Sequence, residues 1–339
     1  MIWLTWRQFR AQAASALIVL AAAAIYFLIT GLRMRHSYTA DLVSCRSQND
    51  CGDVLSRFQG TYNAAFQLAE ILVIAAPALI GIFWGAPLIG RELETGTHQF
   101  AWNQSVTRTR WLGTKLVGVG VVSIVAAGLL SYLMTWWAGP LDQVNGNRFG
   151  AMTFSTRDIV PLGYAAFAFA LGTTAGLLIR RTIPAMAVTL AVFIGVQILV
   201  PTTIRPNLLP STTVTYAMNQ STLSQANGIY GAGGPDDGFY MDGLSIPEGS
   251  WVLSTSPVET SSGQVVPMNA VQACLPTPDR AAGVNPFEQF GACVAKENLH
   301  ETISYKPAKD YWPVQWYETA TFFALAALLA GFCFWWIRR

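Results

Sequence analysis

Charge is scarce in this chain. Only 12% of its residues are Asp, Glu, Lys or Arg, while 52% are hydrophobic; soluble domains carry about 25% charged residues, so an ordinary soluble domain is excluded. The formal net charge is +2, which gives no broad basic field for nucleic acid. Histidine is rarer still. His36, His98 and His300 fall in three different segments, so no metal-ligand cluster is expected. Catalytic signatures with a mechanism behind them are missing too: there is no His-Glu-x-x-His, Gly-x-Ser-x-Gly or pair of membrane aspartates. Ser245, in Gly243-Leu244-Ser245-Ile246-Pro247, does not fit the nucleophile elbow. A phosphate-cradling loop needs Gly-x-x-x-x-Gly-Lys-Ser/Thr, and the nearest stretch, Gly113-Thr114-Lys115-Leu116, has neither the spacing nor the hydroxyl. The chain is therefore expected to be no enzyme, and to hold no cofactor or metal of its own.

What is present is apolar sequence in long continuous runs. Crossing a bilayer takes about 20 mostly apolar residues per helix, and residues 14–32, 64–90, 116–138, 161–179, 183–201 and 318–337 qualify. Barrel strands would instead show about ten alternating residues. An all-α integral membrane domain of six transmembrane helices follows, with both termini on one side. The first run is too long for a signal-peptide core and is expected to stay in place. Before it, Ile2, Trp3, Trp6 and Phe9 recur opposite Arg7 and Arg10; residues 1–13 read either as an amphipathic helix lying in the interface or as a frayed end.

Arginine and lysine in short loops resist translocation. One set of loops carries ten (Arg7, Arg10, Arg91, Arg108, Arg110, Lys115, Arg180, Arg181, Arg338, Arg339), the opposite set six (Arg33, Arg35, Arg46, Arg57, Arg148, Arg157). Both termini are expected to be cytoplasmic. Cysteine placement agrees, since disulfides persist in oxidising compartments. Cys45, Cys51, Cys274 and Cys293 all fall on the side assigned as external, and Cys333 is inside a span. Pairing Cys45 with Cys51 and Cys274 with Cys293 is the natural arrangement, the alternative being free thiols.

Residues 202–317 form the one large connection. They are rich in Gly, Pro, Ser, Thr and Asn, which predicts turns, short strands and little helix. An extracellular α+β or irregular domain between spans five and six is expected, with 228–243 as a mobile loop. Tyr305, Tyr311, Trp312, Trp316 and Tyr317 read as an interfacial aromatic belt before the last span, 318–339. Pro77, within the second span, removes one backbone bond and marks a potential hinge.

The inner segment 91–115 is a charged island between two spans. It is either a solvated connection or a short helix set into a groove on a partner. In the second reading Glu92 and Glu94 stand at the helix start, where the dipole favours anions, and Phe100 and Trp102 serve as anchors. The pattern Gly90-Arg91-Glu92-x-Glu94-Thr95-Gly96-Thr97, then Ser105-Val106-Thr107-Arg108 and Trp111-Leu112-Gly113-Thr114-Lys115, resembles the coupling segment of permease subunits of the second class of bacterial ABC exporters. Gly163-Tyr164-Ala165-Ala166-Phe167-Ala168-Phe169-Ala170-Leu171-Gly172, followed by Arg180-Arg181-Thr182-Ile183-Pro184, is similar to a subgroup from high-GC Gram-positive bacteria. The resemblance covers all but 202–317. Gln104 stands where the family's usual proline precedes the Ser-x-x-Arg element.

That resemblance implies a membrane subunit paired with a second permease copy and a cytosolic ABC ATPase dimer, which would bind the ATP and magnesium. It implies that Arg91, Glu92, Glu94, Gly96, Thr97, Phe100, Trp102 and Arg108 transmit ATPase closure to the spans. Residues expected along a translocation path are Glu70, Trp136, Tyr164, Phe167 and Gln197, set against plain packing for the aromatics and against a hydrogen bond from Glu70 to Gln67 or Asn63. Gly172 and Gly176 form a small-xxx-small pair that permits close helix approach. Few fixed charges within the spans argue against ions as cargo and for amphipathic small molecules, drugs or antimicrobial peptides. The competing reading is a mechanical or sensing complex in which ATPase closure moves the outer domain.

Overall fold

The computed structural model describes residues 2–42, 45, 51–97, 107–223, 226, 228–231, 237–274, 290 and 294–339. Two compact units divide the chain: Met1–Leu208 with Tyr311–Arg339, and Leu209–Asp310.

The first unit is helical, and six of its helices are long and apolar enough to cross a membrane. Helix α1 is Ile2–Ser37, continued by a π turn at Tyr38–Leu42. Residues 2–13 thus belong to the same continuous helix as the first span. Helix α2, Gly52–Ile80, passes through a π turn at Gly81–Gly85 into α3, Ala86–Glu94. Pro77 lies inside α2. It cannot donate to the helical ladder, and the ladder widens just beyond it.

Helix α4, Arg108–Asn145, is capped by Thr107, whose hydroxyl accepts from the Arg110 amide at 3.4 Å, and it stops at Gly146 in a left-handed conformation, φ 66. A short α5, Ala151–Ser155, leads to α6, Val160–Ile179, and α7, Thr182–Leu199. The last span, α8, is Tyr311–Arg338.

Helix α6 is the most enclosed, with Tyr164, Ala165, Ala168 and Thr173 fully buried. Glycine brings it against the second span, backbone on backbone. A Cβ on Gly172 would lie 2.2 Å from the Gly81 carbonyl oxygen, and one on Gly176 would lie 2.4 Å from that of Ala86. Larger apolar clusters lie around it, with Trp84, Ile89, Trp111, Leu112 and Ile337 in one and Phe27, Phe58, Phe66, Met134 and Trp137 in another. Leu17, Ile18, Ile183, Ile198 and Leu328 stay exposed, as lipid-facing positions do.

The second unit carries a three-stranded antiparallel sheet. Its strands are β1 (Thr212–Ala217), β4 (Trp251–Thr255) and β5 (His300–Lys306), in the order β1-β5-β4. Strands β2 (Gly228–Gly231) and β3 (Phe239–Asp242) pair separately. This unit has its own core of Phe239, Met241, Val258, Phe290, Leu299 and Ile303. Both ends of the stretch expected to be a mobile loop are strands, joined by stacked Tyr230 and Tyr240 rings 5.3 Å apart; residues 232–236 lie outside the described residues.

The unit is shorter at both ends than the expected 202–317. Spans five and six outrun their apolar sequence: α7 continues through a π turn at Val200–Ile204 and a 3-10 turn at Arg205–Asn207, and α8 begins at Tyr311. Of the expected aromatic belt, Trp312, Trp316 and Tyr317 are exposed, whereas Tyr305 and Tyr311 are buried. Cys45 and Cys51 are disulfide-bonded. Cys274 is disulfide-bonded as well, and Cys293 lies outside the described residues.

Candidate functional site

The charged island begins as the last turn of α3. Thr95 ends that helix twice over, its amide and its hydroxyl both donating to the Arg91 carbonyl at 3.0 and 2.8 Å. Gly96 follows at φ 72, the left-handed position that glycine fills at least cost. Glu92 and Glu94 therefore stand at the C-terminal end of a helix, not at the N-terminal end expected. The dipole of their own helix disfavours them there, and each finds compensation on another helix.

Glu94 reaches the first turn of α7, where its Oε2 accepts the Thr182 amide at 3.0 Å and the Thr182 hydroxyl at 2.7 Å. An anion at a helix N-terminus is the favourable arrangement the sequence argument sought, made across two spans. Glu92 meets Lys115 of α4 at 2.6 Å. Lys115 also donates to the Leu88 carbonyl at 3.4 Å, and its ammonium lies 4.9 Å from the Trp111 ring centre. The end of α3 is thus tied to the starts of α4 and α7. Arg91, Thr97 and Arg108 are exposed beside this clasp. Phe100 and Trp102 lie outside the described residues.

The opposite end of the bundle holds charge that sequence reasoning missed. Arg157, fully buried, forks onto both oxygens of Asp142 at 3.2 and 3.3 Å and stands 3.5 Å from Glu70. Arg205, equally buried, forks onto Glu318 at 2.8 and 3.0 Å and donates to Ser155 at 2.8 Å. Tyr164 donates to the same Glu318. Asp158, with φ 53, accepts from Arg148 at 3.3 Å and from Tyr311 at 2.7 Å. Glu70 thus faces Arg157 in place of the expected Gln67 or Asn63. Bidentate guanidinium–carboxylate pairs are geometrically specific, and these two join α2, α4, α6, α7 and α8 at one end.

The five residues expected along a path do not share a surface. Glu70 and Tyr164 belong to the charge network. Phe167 is buried edge-on against Phe322, with ring centres 5.4 Å apart. Trp136 is half-buried under the Arg35 guanidinium at 4.7 Å. Gln197 is half-buried on α7, and its Nε2 has no hydrogen-bond partner. A signal for the network was present: Asp142, Arg157, Arg205 and Glu318 flank spans as isolated charges. Nothing in the sequence pairs them, because their partners lie 15 and 113 residues apart.

A protein-family model described as ABC-2 membrane transporter related matches residues 17–205, more than half of the 339. The match ends at Arg205, so the second unit lies outside it. No curated protein and no solved structure matches the chain.

Proposed function

The chain belongs to the ABC-2 membrane transporter related family, and on that premise we propose that it is the permease subunit of an ATP-driven exporter. Its partner in this reading is a cytosolic ABC ATPase dimer that binds the ATP and magnesium. A second permease copy completes the complex, and the exporter belongs to the high-GC Gram-positive subgroup. The observation that carries the reading is the clasp at the end of α3: Glu94 on Thr182 and Glu92 on Lys115. A push on that turn is delivered to three spans at once, which is what a coupling element must do.

Loop charge supports cytoplasmic termini: the set of loops that includes both ends carries ten Arg and Lys against six, the bias that short cytoplasmic loops show. Each set includes a buried, paired member, Lys115 with Glu92 in one and Arg157 with Asp142 and Glu70 in the other. The unit Leu209–Asp310 is then extracellular. For cargo we favour amphipathic small molecules, drugs or antimicrobial peptides, because the charges within the spans are engaged on one another rather than set out for ions.

The experiment is ATPase activity of the complex formed by co-expression with the adjacent ATPase, for wild type and for Glu94→Ala and Gly96→Pro. Permease-dependent activity that both variants lose while still assembling supports the reading. Failure of any ATPase to co-purify, or variants that behave as wild type, overturns it. The separately cored unit Leu209–Asp310 favours a second reading, in which ATPase closure moves that unit and carries nothing across; stimulation of the ATPase by amphipathic compounds would count against it.

A further inference from the structure

The end of the bundle that carries the clasp also holds a cavity of about 290 Å³. Among the described residues its lining combines three cations, Arg108, Arg180 and Arg339, with the apolar Leu93, Leu177, Trp336 and Ile337, and includes no acidic side chain.

Arg180 is placed at some cost. It closes α6 in a left-handed conformation, φ 56, with its amide on the Gly176 carbonyl at 3.1 Å, a position usually filled by glycine or asparagine. An arginine there spends backbone strain on keeping a guanidinium in the lining. Arg108, the first residue of α4, lines the same cavity. The walls come from the ends of four membrane-spanning segments, so the cavity lies where apolar side chains give way to charged ones. Trp335 and Trp336 stand at that level, the depth at which tryptophan collects in membranes, and Leu178 and Ile183 are exposed beside Arg180.

We propose that this cavity binds the phosphate of an anionic phospholipid from the leaflet at the clasp. Arg108 and Arg180 hold the phosphate oxygens, and the acyl chains leave along the apolar wall. Guanidinium groups match phosphate geometry, and basic pockets between spanning helices suit anionic headgroups. The assignment is independent of what the transporter carries.

The test uses the full chain in neutral detergent. Phosphatidylglycerol, phosphatidylcholine and inorganic phosphate are titrated separately, with the thermal unfolding midpoint and the lipid retained in native mass spectrometry as readouts. Phosphatidylglycerol should raise the midpoint and be retained, and the other two should not. Arg108→Gln and Arg180→Gln should each weaken the phosphatidylglycerol titration about five-fold, Arg108→Lys with Arg180→Lys should keep most of it, and Arg110→Gln should leave it unchanged. Equal shifts with phosphatidylcholine, or a full shift with phosphate alone, overturn the lipid assignment from wild-type protein, even if a variant fails to fold. Glutamine variants that keep the lipid shift but lose the ATPase partner overturn it too, and make the cavity a protein dock.

Discussion

Thr182 gives both its amide and its hydroxyl to one oxygen of Glu94, 88 residues earlier in the chain. The pair joins the end of the second span to the start of the fifth. Because Glu94 is exposed and Thr182 only half-buried, the bond adds position more than stability, and its loss should register in coupling before it registers in folding.

Thr182→Val removes the hydroxyl and leaves the amide bond to Glu94. Permease-stimulated ATPase activity should fall to an intermediate level, with Glu94→Ala lower and Glu94→Gln, which keeps an acceptor oxygen, closer to wild type. Assembly measured by co-purification should be unchanged in all three. A Thr182→Val enzyme as uncoupled as Glu94→Ala would show that the amide contact contributes nothing.

Arg157→Met strands Asp142 and Glu70 as buried carboxylates. Removing one partner of a buried pair costs about 3–5 kcal/mol, so the thermal midpoint in detergent should drop by many degrees. Arg205→Met should do the same through Glu318. The double variant Arg205→Met with Glu318→Met should recover much of the loss, because well-packed apolar replacements of an entire buried pair are often neutral.

Gly172→Ala would set a methyl group 2.2 Å from the Gly81 carbonyl oxygen. Overpacking costs typically about 1–3 kcal/mol, and backbone offers less give than a side chain, so folded yield and midpoint should both fall. Gly118→Ala faces open space and should be neutral or gain a few tenths of the roughly 0.5–1 kcal/mol that separates the two residues in helices.

Glu301, on β5, is fully buried, and burial pushes its carboxyl up from 4.5 to about 7, although it accepts the Met241 amide at 3.0 Å. The folded unit then binds a proton that the unfolded chain has released, so the contribution of Glu301 to stability should be full below about pH 4.5, decline as pH rises to about 7, and be lost above that. Hydrogen exchange of the β3 and β5 amides, corrected for the intrinsic rate, should show protection falling through that window. Glu301→Gln should flatten the profile.

Spans, their order and the small-residue pair at Gly172 and Gly176 were legible, because each rests on local composition or on spacing within one helix. Glu94 stood out in the sequence as well, but the helix it serves was misjudged: the sequence shows a carboxylate before a Gly-Thr pair, not that the pair ends one helix while the carboxylate caps another. Spans five and six were drawn short, since the apolar pattern stops at residues 201 and 318 while the helices run on, held by Arg205 and Glu318. A buried ion pair between distant residues leaves no periodicity to read. The same blindness hid Arg157, counted as a solvated loop charge.

The contact of Gly172 and Gly176 with Gly81 and Ala86 has a mechanical meaning. With no side chains between them, the two backbones cannot slide by a rotamer change, and the touching point acts as a fulcrum for the second span. At a rise of 1.5 Å per residue, Glu94 lies about 12 Å beyond Ala86 and Glu70 about 16 Å before Gly81. A displacement imposed at Glu94 would reach the Glu70 end only through that fixed stretch.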